Sequence, residues 1–205
     1  AGTPEVVKRK GVQIDMKFGN GCWLQREGIE CFSPKEAYFV KTTEQGVTIC
    51  APTANINHRG DTLGGINLTV KITAPAPEVI RVQVAHHLGV QAKLPEFDLT
   101  FAEGFKPEIT ENEEEVTVKS GSLALRIDRK NWSMRYERDG KLLTTSAGRD
   151  LGYMRTGWTG FAYDNDPNGK AFMRQQLGLS VNEHVYGLGE RFGAFIKNGQ
   201  SVDIW

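Results

Sequence analysis

The sequence predicts an all-β fold, an antiparallel β-sandwich, on three observations. Short runs of alternating apolar and polar residues recur from Cys31 onward, and turn dipeptides separate several of them. No long run carries apolar residues at the i, i+3, i+4, i+7 spacing of an amphipathic helix. Strands with one wet face and no strand–helix–strand repeat belong to antiparallel sheets.

Taken in order, Glu36–Lys41 and Gly46–Ala51 supply the first two strands. Gly65–Thr73 follows with the cleanest alternation, placing Ile66, Leu68, Val70 and Ile72 on one face. Val79–His86 repeats the pattern with Val82 and Val84. The acidic run Glu111-Asn112-Glu113-Glu114-Glu115 reads as a solvated turn leading into Val116–Val118, and Leu123–Ile127 comes next with Leu123, Leu125 and Ile127 facing inward. Trp132–Arg138 then reaches Asp139-Gly140, a hairpin dipeptide, and the chain returns as Lys141–Thr144. Two packed sheets covering residues 29–204 are expected. At the end, Asn198-Gly199 is expected to join Ala194–Lys197 to Gln200–Trp205 as a last hairpin. Its second arm stops on Trp205 without a closing turn, and an open edge of that kind recruits other strands, so self-association into a homo-oligomer, disorder of the last residues or packing against another copy is expected.

The 205 residues suit one large domain, and 25 basic against 25 acidic side chains leave no net charge to attract nucleic acid or an anionic membrane. No stretch approaches the ~20 consecutive apolar residues of a membrane-spanning helix. Residues 1–15 lack the apolar run of a secretory signal and are read as a leader or appended sequence, with the domain over 16–205 beginning at Met16. Cys22, Cys31 and Cys50 cannot all pair within one chain and show no CxxC spacing, which indicates reduced thiols and a cytoplasmic location.

Candidate chemistry is sparse. Gly187-Leu188-Gly189-Glu190-Arg191-Phe192-Gly193 has a GxGxxxG spacing, but a hairpin signal follows it where a dinucleotide site needs a helix N-terminus. Gly187 and Gly189 are instead expected to permit a turn or a close approach. His58, His86, His87 and His184 lack metal-ligand spacing, and the adjacent His86 and His87 point to opposite faces of a strand. Asp164–Gly169 reads as an exposed turn, the alternative being a calcium loop without its downstream glutamate. Trp23, Trp132, Trp158 and Trp205 suit either a sandwich core or a sugar-stacking platform. No metal, cofactor or catalytic constellation emerges.

Val185-Tyr186-Gly187-Leu188-Gly189-Glu190-Arg191-Phe192, followed by Lys197–Trp205, resembles the end of the N-terminal domain in glycoside hydrolase family 31. The continuation ERFGAFIKNGQSVDIW is similar to the bacterial α-xylosidase branch, where α-glucosidases more often carry a lysine after the Gly-Leu-Gly-Glu core. Gly21–Gly28, shortly after Met16, and Val118–Leu123 with the run to Trp132 carry the same likeness, so it covers residues 16–205.

The resemblance implies a galactose-mutarotase-like sandwich truncated at its junction with a (β/α)8 catalytic barrel. It implies a retaining α-glycosidase whose two catalytic aspartates lie in that barrel, so no catalytic residue falls in this chain and the chain alone is inactive. Asp203 matches a strand position before the barrel. The Glu190, Arg191 and Phe192 turn becomes the candidate rim of the substrate pocket, the alternative being a structural role at the domain junction. The partners implied are the barrel and an α-xylosyl oligosaccharide. The alternatives are the same domain of an α-glucosidase, a stand-alone carbohydrate-binding module, and a mutarotase-like enzyme, against which the divergent His86 and His87 argue.

Overall fold

A computed structural model describes residues 27–63, 65–86, 102–157, 169–190, 192–200 and 202. Among them the only helix is a one-turn 3-10 helix at Arg59–Thr62, and no helix is long and apolar enough to cross a membrane. The strands are β1 (Ile29–Phe32), β2 (Phe39–Thr43), β3 (Gly46–Pro52), β4 (Asn67–Thr73), β5 (Arg81–Ala85) and β6 (Glu108–Glu111). They continue as β7 (Glu115–Ser120), β8 (Leu123–Asp128), β9 (Ser133–Arg138), β10 (Lys141–Ser146), β11 (Leu151–Thr156) and β12 (Ala171–Gln175). The chain divides into two compact units, one of which, Glu30–Leu179, holds the sandwich, while the other contains Ser180–Trp205.

Two antiparallel meanders make the layers. One runs β2-β3-β4-β5 and the other β10-β9-β8-β7-β6, each with sequence neighbours paired. Val47, Ile49, Leu68, Val70 and Ile72 from the first sheet join Val116, Val118, Leu125, Ile127 and Met134 from the second in one core cluster. Each such side chain contributes about 1.5–3 kcal/mol when fully withdrawn from water. The alternation of β4 is realised in full, with Leu68, Val70 and Ile72 all inaccessible. Ile66, Val82, Val84 and Leu123 are only half-buried, because β5 is a sheet edge and Ile66 and Leu123 stand at or just outside strand ends.

Turn chemistry behaves as its residues dictate. Asp139 and Gly140 have φ of 49° and 75°, the paired left-handed conformation that turns a tight hairpin, and Lys141 lies opposite Arg138. In the acidic run, the Asn112 side-chain oxygen accepts from the amides of Glu114 and Glu115, both at 2.8 Å, which folds β6 back onto β7. The carboxylates of that run are also paired, Glu111 with Arg129 at 3.2 Å and Glu115 with Arg126 at 2.7 Å.

Two expectations need correction. The described residues form three sheets, since β1-β11-β12 is hydrogen-bonded as a separate unit. Its strands carry irregular patterns, and β11 needs Gly152, where a Cβ would lie 2.7 Å from the Cys31 sulfur of β1. The second correction concerns Asn198-Gly199, which does form a turn, although Ala194–Lys197 is not a strand. The Asn198 side chain is occupied with Glu183 and Val185, so the turn folds onto those residues. Ser201 and Asp203–Trp205, most of the expected last arm, lie outside the described residues.

Glu78 adopts φ 63° before β5, and its carboxylate accepts from the Ser122 amide at 2.6 Å and from the Ser122 hydroxyl. The hydroxyl bond, then the amide bond, hold its pKa below the usual glutamate value, with a small further contribution from Arg138. A carboxyl depressed on folding stabilises the fold above its unfolded pKa, and that contribution disappears as pH falls through the folded one. Ser122→Ala is therefore expected to raise the Glu78 pKa toward the ordinary range without restoring it, because the amide remains. A carboxyl-carbon NMR titration checks this, and an unmoved Glu78 midpoint would contradict it.

Candidate functional site

The segment after Leu179 has no regular secondary structure among its described residues, yet polar contacts fix its path. The Ser180 amide donates to the Glu183 carboxylate at 2.6 Å, and the Glu183 amide returns to the Ser180 carbonyl at 3.1 Å. Asn198 bridges the backbone of the preceding turn. Its side-chain oxygen accepts from the Val185 amide at 2.7 Å, and its Nδ2 donates to the Glu183 carbonyl at 2.9 Å. The Lys197 amide donates to the Val185 carbonyl at 2.8 Å, while its buried ammonium donates to the Ala194 carbonyl at 2.6 Å.

Between these anchors Gly187, Leu188 and Gly189 are consecutive left-handed residues, with φ of 89°, 65° and 84°. A Cβ at either glycine would meet nothing within 4 Å. Within the chain the glycines therefore serve backbone conformation. No helix occurs at residues 192–200, so the GxGxxxG spacing has no helix N-terminus to cradle a phosphate.

Of the three rim candidates, Glu190 is exposed, Phe192 is completely exposed, and Arg191 lies outside the described residues. Nearby, the rings of Tyr186 and Phe195 approach to 5.1 Å between centroids, and His184 meets the edge of Tyr186 at 6.2 Å. This surface can contact a flat or apolar partner. Among its described residues no nucleophile stands beside a base, and the Glu183 carboxylate caps the Ser180 amide.

Within the sandwich, the outer face of the five-stranded sheet holds an ion-pair cluster. Arg126 donates to Glu137 at 2.9 Å and to Glu115 at 2.7 Å, and those bonds, led by Glu137, raise the guanidinium pKa. Glu137, nearly withdrawn from solvent, also meets Arg135 at 3.1 Å. Both of its oxygens are thus engaged by cations, which suits a structural carboxylate and leaves no acid–base pair. Glu137 also borders a 450 Å³ cleft lined mainly by apolar side chains, among them Val82, Val84, Tyr136, Leu151 and Met173. Sequence reasoning missed this cleft because it is made by three sheets meeting, and no local pattern encodes that.

The remaining candidates disperse. His58 caps the 3-10 helix by accepting from the Gly60 amide at 3.1 Å, and the His86 ring packs tilted against Tyr153 with 4.3 Å between centroids. His184 belongs to the Tyr186 cluster, and His87 is outside the described residues. Among the described residues no group of three His, Cys, Asp or Glu side chains could hold a metal ion. Trp132 is in the core, which favours the structural reading for that residue, while Trp23, Trp158, Trp205, Cys22 and the turn at 164–168 fall outside the description.

Comparison with known proteins fits the sandwich and its terminal motif. The sequence profile of the glycosyl hydrolase 31 N-terminal galactose mutarotase-like domain matches residues 69–205. The chain is 35% identical over 193 residues to the α-xylosidase XylQ of Lactiplantibacillus pentosus, covering 93% of this chain and 24% of that protein. It is 33% identical over 203 residues to an α-xylosidase of Emericella nidulans, covering 93% and 26% respectively. The chain thus spans about a quarter of the length of these relatives. Among solved structures, the cycloalternan-forming enzyme of Listeria monocytogenes shares the fold with a TM-score of 0.55 at 15% identity, over 84% of this chain and 14% of that one. A family 31 dextranase of Flavobacterium johnsoniae gives 0.51 at 16% identity, over 83% and 18%. From its sandwich, its terminal motif and these matches, the chain belongs to glycoside hydrolase family 31, as the galactose mutarotase-like domain found at the N-terminal end of its members.

Proposed function

We propose that this chain is the non-catalytic N-terminal domain of a retaining α-xylosidase that acts on α-linked xylose in xylo-oligosaccharides or xyloglucan fragments. The observation that carries the reading is identity of 35% and 33% to two proteins named α-xylosidase, each across 93% of the chain. In this reading the chemistry belongs to a barrel beyond the chain. One carboxylate attacks the anomeric carbon, and a second carboxyl about 5 Å away protonates the departing oxygen. The segment after Leu179 contributes a rim: Glu190 and Arg191 offer hydrogen bonds to sugar hydroxyls, and Phe192 offers an apolar face. Free thiols at Cys31 and Cys50 support a cytoplasmic placement.

The test uses the full-length protein with an aryl α-xyloside and with a xyloglucan oligosaccharide, followed by proton NMR. α-Xylose should appear first. β-Xylose appearing first would overturn the retaining assignment, and preference for α-glucosides would overturn the xylosidase branch. The 205-residue chain alone should give no turnover, and measurable hydrolysis by it would overturn the non-catalytic role. Phe192→Ala in the full-length enzyme should raise KM on the order of tenfold with kcat little changed, the signature of lost uniform binding.

A further inference from the structure

We infer that the outer face of the four-stranded sheet is a binding surface for a carboxylate-bearing oligosaccharide. Strand register fixes its layout. Lys41, Thr48, Lys71 and Gln83 stand opposite one another in one row across β2, β3, β4 and β5. The row beside it begins with Phe39 and continues through the short side chains of Cys50, Thr69 and Ala85, while Arg81 lies opposite Thr73 in the row on the other side. These residues alternate with Val47, Ile49, Leu68, Val70 and Ile72, which enter the core, so they face away from it. Lys41, Lys71 and Arg81 are exposed, and none has an ion-pair partner among the described residues. The four strands contain no Asp or Glu. On the outer face of the five-stranded sheet, by contrast, Arg126 and Arg135 are matched by Glu115 and Glu137. Edge protection accounts for Lys41 and Arg81, on the edge strands β2 and β5, but not for Lys71 on the interior strand β4.

Size and chemistry select the occupant. With strands about 4.8 Å apart and about 3.4 Å per residue, a face of four short strands covers roughly 250–350 Å². A stable protein partner covers about 800 Å², so this face suits a short ligand. The backbones at Lys41 and Lys71 are two strand spacings apart, about 10 Å, and their ammonium groups can meet separate carboxylates of one oligomer. Thr48, Thr69 and Gln83 offer hydroxyl and amide groups to neutral hydroxyls. Phe39, 59% exposed at the end of the row of short side chains, presents an apolar ring to the C–H face of a sugar. Three cations release few counterions, too few for stable binding of a nucleic acid. This recognition is independent of which glycoside the longer protein cleaves.

Amide NMR of the 205-residue chain, titrated at low salt with trigalacturonate and separately with maltotriose as the neutral counterpart, tests the inference. Trigalacturonate should shift Lys41, Thr48, Lys71 and Gln83 saturably, with a Kd on the order of 0.1–1 mM, as a few exposed charge pairs allow. High salt should weaken that binding. Maltotriose should bind about fivefold more weakly or not at all, and Lys71→Gln should weaken trigalacturonate on the order of fivefold. Phe39→Ala should also weaken trigalacturonate while leaving its salt dependence unchanged, which separates contact with the ring from attraction of charge. Absence of saturable shifts on this face would overturn the inference, and so would equal binding of the two sugars. Tighter binding of hexaglutamate would assign the face to an acidic polypeptide, and tighter binding of a short oligothymidylate would assign it to a nucleic acid. Either result would overturn the oligosaccharide.

Discussion

Trp132→Ala should destabilise the sandwich by about 3–5 kcal/mol, the range for truncating a fully buried large aromatic side chain. The indole is 1% exposed and belongs to the main core cluster. Its position is set by the turn between β8 and β9, where the Asp128 carboxylate accepts from the amides of Lys130 and Asn131 at 2.9 and 2.8 Å. The Trp132 amide then donates to the Lys35 carbonyl at 3.1 Å, and the Ala37 amide donates to the Arg129 carbonyl at 2.8 Å. The backbone therefore pins the ring from two sides, and the cavity left by alanine cannot readily collapse. The indole Nε1 has no hydrogen-bond partner among the described residues. Trp132→Phe consequently loses packing volume but no polar contact, and should cost well under half as much. Domains of ordinary stability have about 5–15 kcal/mol in total, so the alanine variant stands close to the edge of folding. Urea unfolding of both variants measures the difference, and a loss below about 1 kcal/mol for alanine would contradict this packing.

Gly46→Ala should destabilise by about 2–3 kcal/mol, as overpacking does in an interior that cannot give way. At a position where alanine fits, the same exchange stabilises by about 0.4–1 kcal/mol, because the unfolded chain loses freedom. The sign reverses here because a Cβ on Gly46 would overlap the main-chain carbonyl of Ile72 on the neighbouring strand. Gly46 lies opposite Thr73 at the start of β3, inside a pairing that continues through Val47 and Ile72. A side chain could swing away from the new methyl, but a paired backbone carbonyl moves only with its strand. Thermal unfolding should show a drop of roughly 4–12 °C for a domain of this size. An unchanged or raised midpoint would mean that β3 and β4 are spaced differently at this end.

The parts of this fold that are written locally were legible in the sequence. Asp139-Gly140 needs only two adjacent residues that accept left-handed conformations, and β4 needs only its own alternation against a core. β1, β6, β11 and β12 went unread because their identity comes from partners far along the chain. In LGYMRT the glycine looks like a strand-breaker until Cys31 is seen packed against it. Asn198-Gly199 misled for a related reason. The dipeptide specifies a turn, but the arms become strands only if nothing else claims them, and Asn198 is claimed by Glu183 and Val185. The site divides the same way. The terminal motif was visible as a string of letters, whereas the exposure of Tyr186 and Phe195 depends on packing that no short window reports.

The third sheet carries a consequence for biosynthesis. Glu30 of β1 forms its ion pair at 3.0 Å with Arg155 of β11, across a separation of 125 residues. β11 is also the strand against which β1 lies. A ribosome adding roughly 5–20 residues per second needs on the order of ten seconds to make that interval. β1 is therefore among the first parts of the sandwich to leave the exit tunnel and among the last to gain a neighbour. Both meanders can close while it waits, since their strands pair with sequence neighbours. Throughout that delay the nascent chain displays an unmatched strand, and the cell's holding factors have that interval in which to meet it.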